Sequence, residues 1–143
     1  MLNFNPYLHF MGNTEQAMKF YKTVFGGEFT LFHRYKEVPG GEKMPAEDGE
    51  KLIHVSLAIN KTTTLMATDT LETMGQQVTA GNNYHIHIQA ESDDEADRLF
   101  TGLSADGKVE MPMNKIFFGA YFGMCQDKFG IYWMINFTEH KTL

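Results

Sequence analysis

Six histidines stand in this chain, and three of them are spaced so that they could act together. His85 and His87 lie two apart in the run 84–90, which puts both on one face of a strand because strand side chains alternate with period two. His54 sits in a second apolar run, 52–60, and Asp69 follows a third, 63–68. Imidazoles and a carboxylate gathered in one cleft could ligate a divalent metal. They could equally hydrogen-bond one another, backbone groups or a bound ligand in a pocket lined by methionines and aromatics.

Other chemistries find no support. No Ser or Cys stands in a nucleophile-elbow pattern, and Gly40-Gly41 lacks the strand before and helix after that a phosphate loop needs. The single cysteine, Cys125, falls at an apolar strand position and reads as a small buried hydrophobe. Asp127 opens the turn Asp127-Lys128-Phe129-Gly130, where an aspartate bonds its own backbone. Twelve Lys and Arg against 18 Asp and Glu give a net charge of −6, with no basic cluster, which argues against nucleic acid or an anionic membrane surface as partner. No apolar run approaches the roughly 18 residues of a membrane span, and MLNFNPYLHF is unlike a signal peptide, so a cytoplasmic location is expected.

The elements that must position these residues can be read in order. An apolar run at 4–11 meets Gly12-Asn13, where Asn13 and Gln16 form a capping-box pattern ahead of Ala17, Phe20, Tyr21, Val24 and Phe25 at helical spacing. Gly26-Gly27 ends that helix. Strands are expected at 29–35, 52–60 and 63–68, with 39–49 as a polar, mobile loop long enough to act as a lid. The order is β-α-β-β-β. After a polar linker at 72–82 it begins again, with a strand at 84–90, Ser92 and Glu95 as cap and capping-box partner, and Ala96, Leu99, Phe100 and Leu103 as the helical stripe. Residues 107–111 and a hairpin over 117–137, two aromatic and β-branched runs around the turn at Asp127, complete the second unit.

A shift of 79 residues carries Asn13 to Ser92, Gln16 to Glu95, Phe20 to Leu99 and Val24 to Leu103, so the chain is an internal duplication. The same shift lays Tyr7, His9 and Met11 on Ile86, Ile88 and Ala90, the set expected to meet the helix, and makes His9 a packed histidine. Pro6, Leu8 and Phe10 fall on His85, His87 and Gln89 and are expected to face the other way. In the last strand Trp133, Ile135 and Phe137 are expected on the second helix, with Tyr132, Met134 and Asn136 looking into the cleft.

Paired β-α-β-β-β modules, Phe20-Tyr21 near the end of the first helix and Asp127 in the turn before the last strand together resemble the vicinal oxygen chelate superfamily. That superfamily includes glyoxalase I, extradiol dioxygenases and bleomycin and fosfomycin resistance proteins. Within it the chain is similar to the PhnB-like group, through Pro6-Tyr7-Leu8 with Phe10 and Gly12-Asn13, Phe25-Gly26-Gly27, Ile53-His54-Val55, Leu65-Met66-Ala67 with Asp69, Gly107-Lys108-Val109-Glu110-Met111, and Trp133-Met134-Ile135-Asn136. The resemblance implies an α+β fold: two tandem βαβββ modules, residues 1–75 and 76–143 of a single domain, forming curled mixed sheets around a cleft. It also implies a homodimer.

Metal-dependent members of the superfamily hold a divalent ion in that cleft. Carried over singly, their first-strand histidine falls on Pro6 and their last-strand glutamate on Met134, the fourth strand offers neither residue, and only the fifth-strand histidine has a counterpart, His85. No cofactor is therefore expected, with a divalent metal as an alternative if ligands including His54 and His85 rebuild the site. PhnB-like proteins often carry a methyltransferase label, but nothing here provides the glycine-rich loop and doubly wound sheet that hold S-adenosylmethionine. Three classes of function remain. The first is binding of a small apolar or aromatic molecule in a cleft lined by Phe10, Met66, Tyr121, Tyr132, Met134 and Asn136, with His54, His85, His87 and Asp69 as polar anchors. The second is a metal-dependent enzyme, and the third is a regulatory or structural module whose cleft is filled by its own side chains.

Overall fold

The computed structural model describes residues 2–116 and 119–139. It divides after Thr79 into two compact units. The first unit runs β1 (Tyr7–Phe10), α1 (Thr14–Phe25), β2 (Glu28–Arg34), a short α2 (Ala46–Gly49), β3 (Leu52–Ala58) and β4 (Thr64–Asp69). The second runs β5 (Ile86–Gln89), α3 (Asp93–Ser104), β6 (Lys108–Lys115), β7 (Ala120–Gln126) and β8 (Tyr132–Thr138). Each unit builds one mixed four-stranded sheet, ordered β1-β4-β3-β2 and β5-β8-β7-β6, in which the first strand pairs parallel with the last and the other pairings are antiparallel. The fold is α+β, as the residue pattern implies. Phe117 and Phe118, which open the expected hairpin, lie outside the described residues.

Each sheet is covered on one side by its long helix. Ala17, Met18, Tyr21 and Val24 of α1 are buried with Val55, Leu57, Leu65 and Ala67 of β3 and β4. Ala96, Leu99, Phe100 and Leu103 of α3 are buried with Cys125, Trp133 and Ile135 of β7 and β8. Burying each large apolar side chain in this way contributes about 1.5–3 kcal/mol. Gly123 lets α3 come close, since a Cβ there would lie 2.6 Å from the Met113 sulfur and 3.0 Å from the Phe100 ring.

The two helices are capped by different means. Ser92 Oγ accepts the Glu95 N–H at 3.0 Å and the Glu95 carboxylate accepts the Glu91 N–H at 3.3 Å, so α3 holds its own N-terminus. The capping box expected at Asn13 and Gln16 does not form, and the Asn13 side chain makes no capping bond. In its place the Asp69 carboxylate, from the end of β4, accepts the N–H groups of Gly12 and Thr14, each at 3.0 Å.

That substitution goes with a change of phase. Leu8 and Phe10 are buried on the helix side of β1, and Tyr7 and His9 are on the other face. The expected assignment of Tyr7, His9 and Met11 to the helix side is therefore reversed, and His9 is an exposed histidine rather than a packed one. In β5 the inward set is Ile86, Ile88 and Ala90, and Ser92 caps two residues after Ala90. From Phe10 to Asn13 there are three steps. The extra residue is accommodated at Gly12, whose φ of 105° favours glycine.

The segment 39–49 is not an open loop. It folds into a 3₁₀ turn and α2, with Gly41 and Asp48 buried. The Asp48 carboxylate accepts the Thr73 hydroxyl at 2.7 Å and pairs with Lys51 at 3.4 Å.

Candidate functional site

The face of each sheet turned away from its helix carries the candidate residues. On the first sheet, β1 supplies Tyr7 and His9, β4 supplies Met66 and Thr68, β3 supplies His54 and Ser56, and β2 supplies His33. Tyr7 Oη lies 3.0 Å from His54 Nδ1, and His54 Nε2 lies 2.6 Å from Ser56 Oγ, so three side chains form one hydrogen-bonded row. The His9 ring stands 5.5 Å from that of Tyr7. Burial, and then His33 across the strand pair, hold the His54 imidazole below its usual pKa, which favours its neutral form. Burial also pushes the Tyr7 phenol upward, helped by Tyr35 and opposed by a hydrogen bond with Thr68.

On the second sheet, β8 supplies Tyr132, Met134 and Asn136, with Phe122, Met124 and Gln126 of β7 beside them and His87 and Gln89 of β5 on the other flank. Tyr132, Met134 and Met124 are half-buried. Asn136 Nδ2 donates to Gln89 Oε1 at 2.8 Å and to Thr138 Oγ1 at 2.9 Å. His85, one residue before β5, sets its ring edge-on to Tyr132 at 5.6 Å and places Nε2 2.8 Å from Glu110 Oε1. Glu110 belongs to β6, at the opposite edge of the sheet. With three strand spacings between these edges, about 14 Å if flat, the two side chains meet only because the sheet curls. Glu110 sits where the β6–β7 register shifts between Val109 and Met111.

Of the expected cleft residues, His54 and Met66 lie on the open face of the first sheet, and His87, Tyr132, Met134 and Asn136 on that of the second, with His85 at its rim. Three lie elsewhere. Phe10 is 5% exposed on the helix side of β1, for the phase reason given above. Tyr121 shares its face with Gly123 and Cys125, and its hydroxyl donates to Asp97 of α3, a bond that raises the Tyr121 pKa. Asp69 is 2% exposed, and besides capping α1 it accepts the Leu52 N–H at 2.8 Å, so it closes the fold and displays nothing. Tyr7, Ser56, Met124 and Glu110 were not singled out from the sequence. Once the phase of β1 is known, Tyr7 follows from the same period-two rule that selects His85 and His87.

A sequence profile of the Glyoxalase/Bleomycin resistance protein/Dioxygenase superfamily matches residues 3–135. The chain belongs to this superfamily. Protein YjdN of Escherichia coli (strain K12) is 26% identical over 145 residues, covering 96% of either chain. Among solved structures, protein PA1353 from Pseudomonas aeruginosa is 31% identical with a TM-score of 0.85, over 98% of this chain and 100% of that one. The PhnB protein from Bacillus cereus, which carries a provisional 3-demethylubiquinone-9 3-methyltransferase label, is 26% identical with a TM-score of 0.75, over 96% of this chain and 100% of that one. The neighbours thus include a PhnB-like protein.

The residues at the superfamily's metal-binding positions do not fit a divalent ion. Pro6 has no donor, Met134 offers a thioether, and the acidic residue of β4, Asp69, spends its carboxylate on three backbone N–H groups. His85, the one matching ligand type, is engaged by Glu110. Among the described residues no three His, Cys, Asp or Glu side chains are grouped so as to hold a metal. Cys125 is no substitute, because burial pushes its thiol up to about 12.

Proposed function

We propose that this superfamily member is a small-molecule binding protein that takes an apolar or aromatic compound on the open faces of its sheets and does not turn it over. One observation carries the proposal. Tyr132, Met134 and Met124 form a half-buried apolar floor on a curled sheet, with the His85–Glu110 pair at its rim and the Gln89–Asn136 amides on its flank. Apolar walls with a few placed polar groups are what small-molecule recognition ordinarily uses, and methionines adapt to ligands of varied shape. The methyltransferase label of the Bacillus cereus protein is not carried over. That chemistry calls for a doubly wound parallel sheet, whereas the described strands form two sheets with one parallel pair each.

A homodimer in the cytoplasm belongs to the same proposal. Val109, Met111 and Ile116, on and just beyond the edge strand β6, are exposed, and such an edge gains from a partner. Sedimentation at twice the chain mass of 16.3 kDa is expected. For the binding itself, equilibrium dialysis against uncharged aromatic probes, 1-naphthol and 1,4-naphthoquinone, is the test. Saturable binding that a chelator leaves unchanged, and that Met134→Lys weakens at least about tenfold by placing a charge on the floor, is expected. Equal binding by Met134→Lys, or recovery of unchanged probe only in the presence of chelator, contradicts it.

A further inference from the structure

The row Tyr7–His54–Ser56 has a property that none of its members has alone. Ser56, at the inner end, is buried, while Tyr7, at the outer end, is 42% exposed. Met66 is the strand partner of both, so an apolar side chain flanks the row. A neutral imidazole has one N–H and one bare nitrogen. If Ser56 donates to Nε2, then Nδ1–H donates to the Tyr7 oxygen and the phenolic proton, no longer held by His54, can be given to a ligand. If Nε2–H donates to Ser56, then Tyr7 donates to Nδ1 and its oxygen can accept. Either order leaves the row uncharged, so Tyr7 can present a donor or an acceptor without a change of charge on the protein.

We propose that this row is the polar anchor of the binding site on the first sheet, and that it recognises an uncharged oxygen of an aromatic ligand, a hydroxyl or carbonyl, in preference to a carboxylate. The inference rests on the ligand-binding proposal above. A carboxylate is best met by a cation or several fixed N–H donors. Here the titratable groups on the same face are Tyr7 itself, His9, His33 and His54, with Glu28 opposite Ala58 at the far end of the β2–β3 pair, so no permanent cation is among them. Burial and the neighbouring His33 both oppose a charge on His54. An apolar flank at Met66 and a ring beside Tyr7 at His9 suit an aromatic body attached to that oxygen.

The test uses 1-naphthol, 1-naphthoate and naphthalene at pH 7 with the full chain, read by dissociation constant and by the ring-nitrogen signals of 15N-histidine-labelled protein. Expected is a saturable shift of the His54 ring signals with 1-naphthol, and binding of 1-naphthoate at least about tenfold weaker. Tyr7→Phe should raise about tenfold the 1-naphthol concentration that half-saturates the His54 ring shift while leaving naphthalene affinity unchanged, which also shows that the variant is folded. An unchanged half-saturating 1-naphthol concentration in Tyr7→Phe, or 1-naphthoate binding as tightly as 1-naphthol, overturns the anchor. If 1-naphthol binds but moves only the methyl signals of Met124 and Met134, the ligand-binding proposal stands and the anchor falls. If none of the three probes binds, both fall.

Discussion

At the end of β1, Phe10 pairs with Asp69 of β4; at the end of β5, Gln89 pairs with Asn136 of β8. The shift of 79 that aligns the two helices lays Phe10 on Gln89, yet the polar residue beside the first points inward and that beside the second outward. Asp69 is sealed behind its sheet, tying Gly12, Thr14 and Leu52 together. Asn136 stays on the open face, bonded to Gln89. Helix capping accounts for the difference. Since α3 carries its own cap in Ser92, β8 is free to display its amide, whereas α1 lacks a side-chain cap and draws on a carboxylate from β4. One residue of phase, accommodated at Gly12, decides whether a polar strand end serves the fold or the surface.

Removing the inward group is the most severe way to break this comparison. Asp69→Ala leaves three N–H groups without their acceptor, those of Thr14 and Leu52 buried, and at about 1–3 kcal/mol for each buried unpaired donor a loss of roughly 2–6 kcal/mol is expected from urea unfolding. Ser92→Ala removes one capping bond and should cost about 1 kcal/mol. Equal costs would mean that Asp69 does not hold the N-terminus of α1 and Leu52 together.

The same contrast holds between the open faces. The first is joined by neutral hydrogen bonds through His54, the second by the contact of His85 with Glu110. With side chains 20% and 33% exposed, that pair is screened by solvent, and a double-mutant cycle of His85→Ala and Glu110→Gln should give a coupling of about 0.2–1 kcal/mol. A larger value would mark the pair as a structural clamp across the curled sheet.

The smallest effect concerns acid. Because the folded His54 titrates below its ordinary value of 6.5, the unfolded chain takes up this proton first as pH falls. Stability is then unaffected well above pH 6.5, decreases as pH drops through 6.5 toward the folded value, and has lost the full contribution below it. His54→Gln should reduce the stability lost between pH 7 and pH 5, by less than any of the changes above because the ring is only partly buried. A variant that loses more stability than the parent over that range would reverse the sign.

The sequence carries most of this fold and less of the site. Both long helices are legible because their apolar stripes repeat at helical spacing and end at turn residues, and the duplication is legible because those stripes match at one shift. The phase of β1 is not, because the shift that aligns the helices does not hold across a connection that is one residue longer in the first unit. Tyr121 is a different case. It shares parity with Cys125, whose apolar surroundings place that whole set inside, so its direction was available from the pattern. Asp69 capping a helix 55 residues away in the chain, and Glu110 meeting His85 across a curled sheet, depend on register and curl that no local pattern encodes.

The central claim is that the open faces, and not the helix-covered ones, receive an aromatic ligand. It is tested most directly by following methionine methyl signals during titration with 1-naphthol. Met66, Met124 and Met134 lie on open faces, and Met18 of α1 is fully buried against the first sheet, which makes it an internal control. Saturable shifts at Met124 and Met134, with Met66 following if the first sheet is engaged, and with Met18 unmoved, are the predicted result. Shifts at Met18 equal to those at Met134, or a titration in which none of the four signals moves, would contradict it.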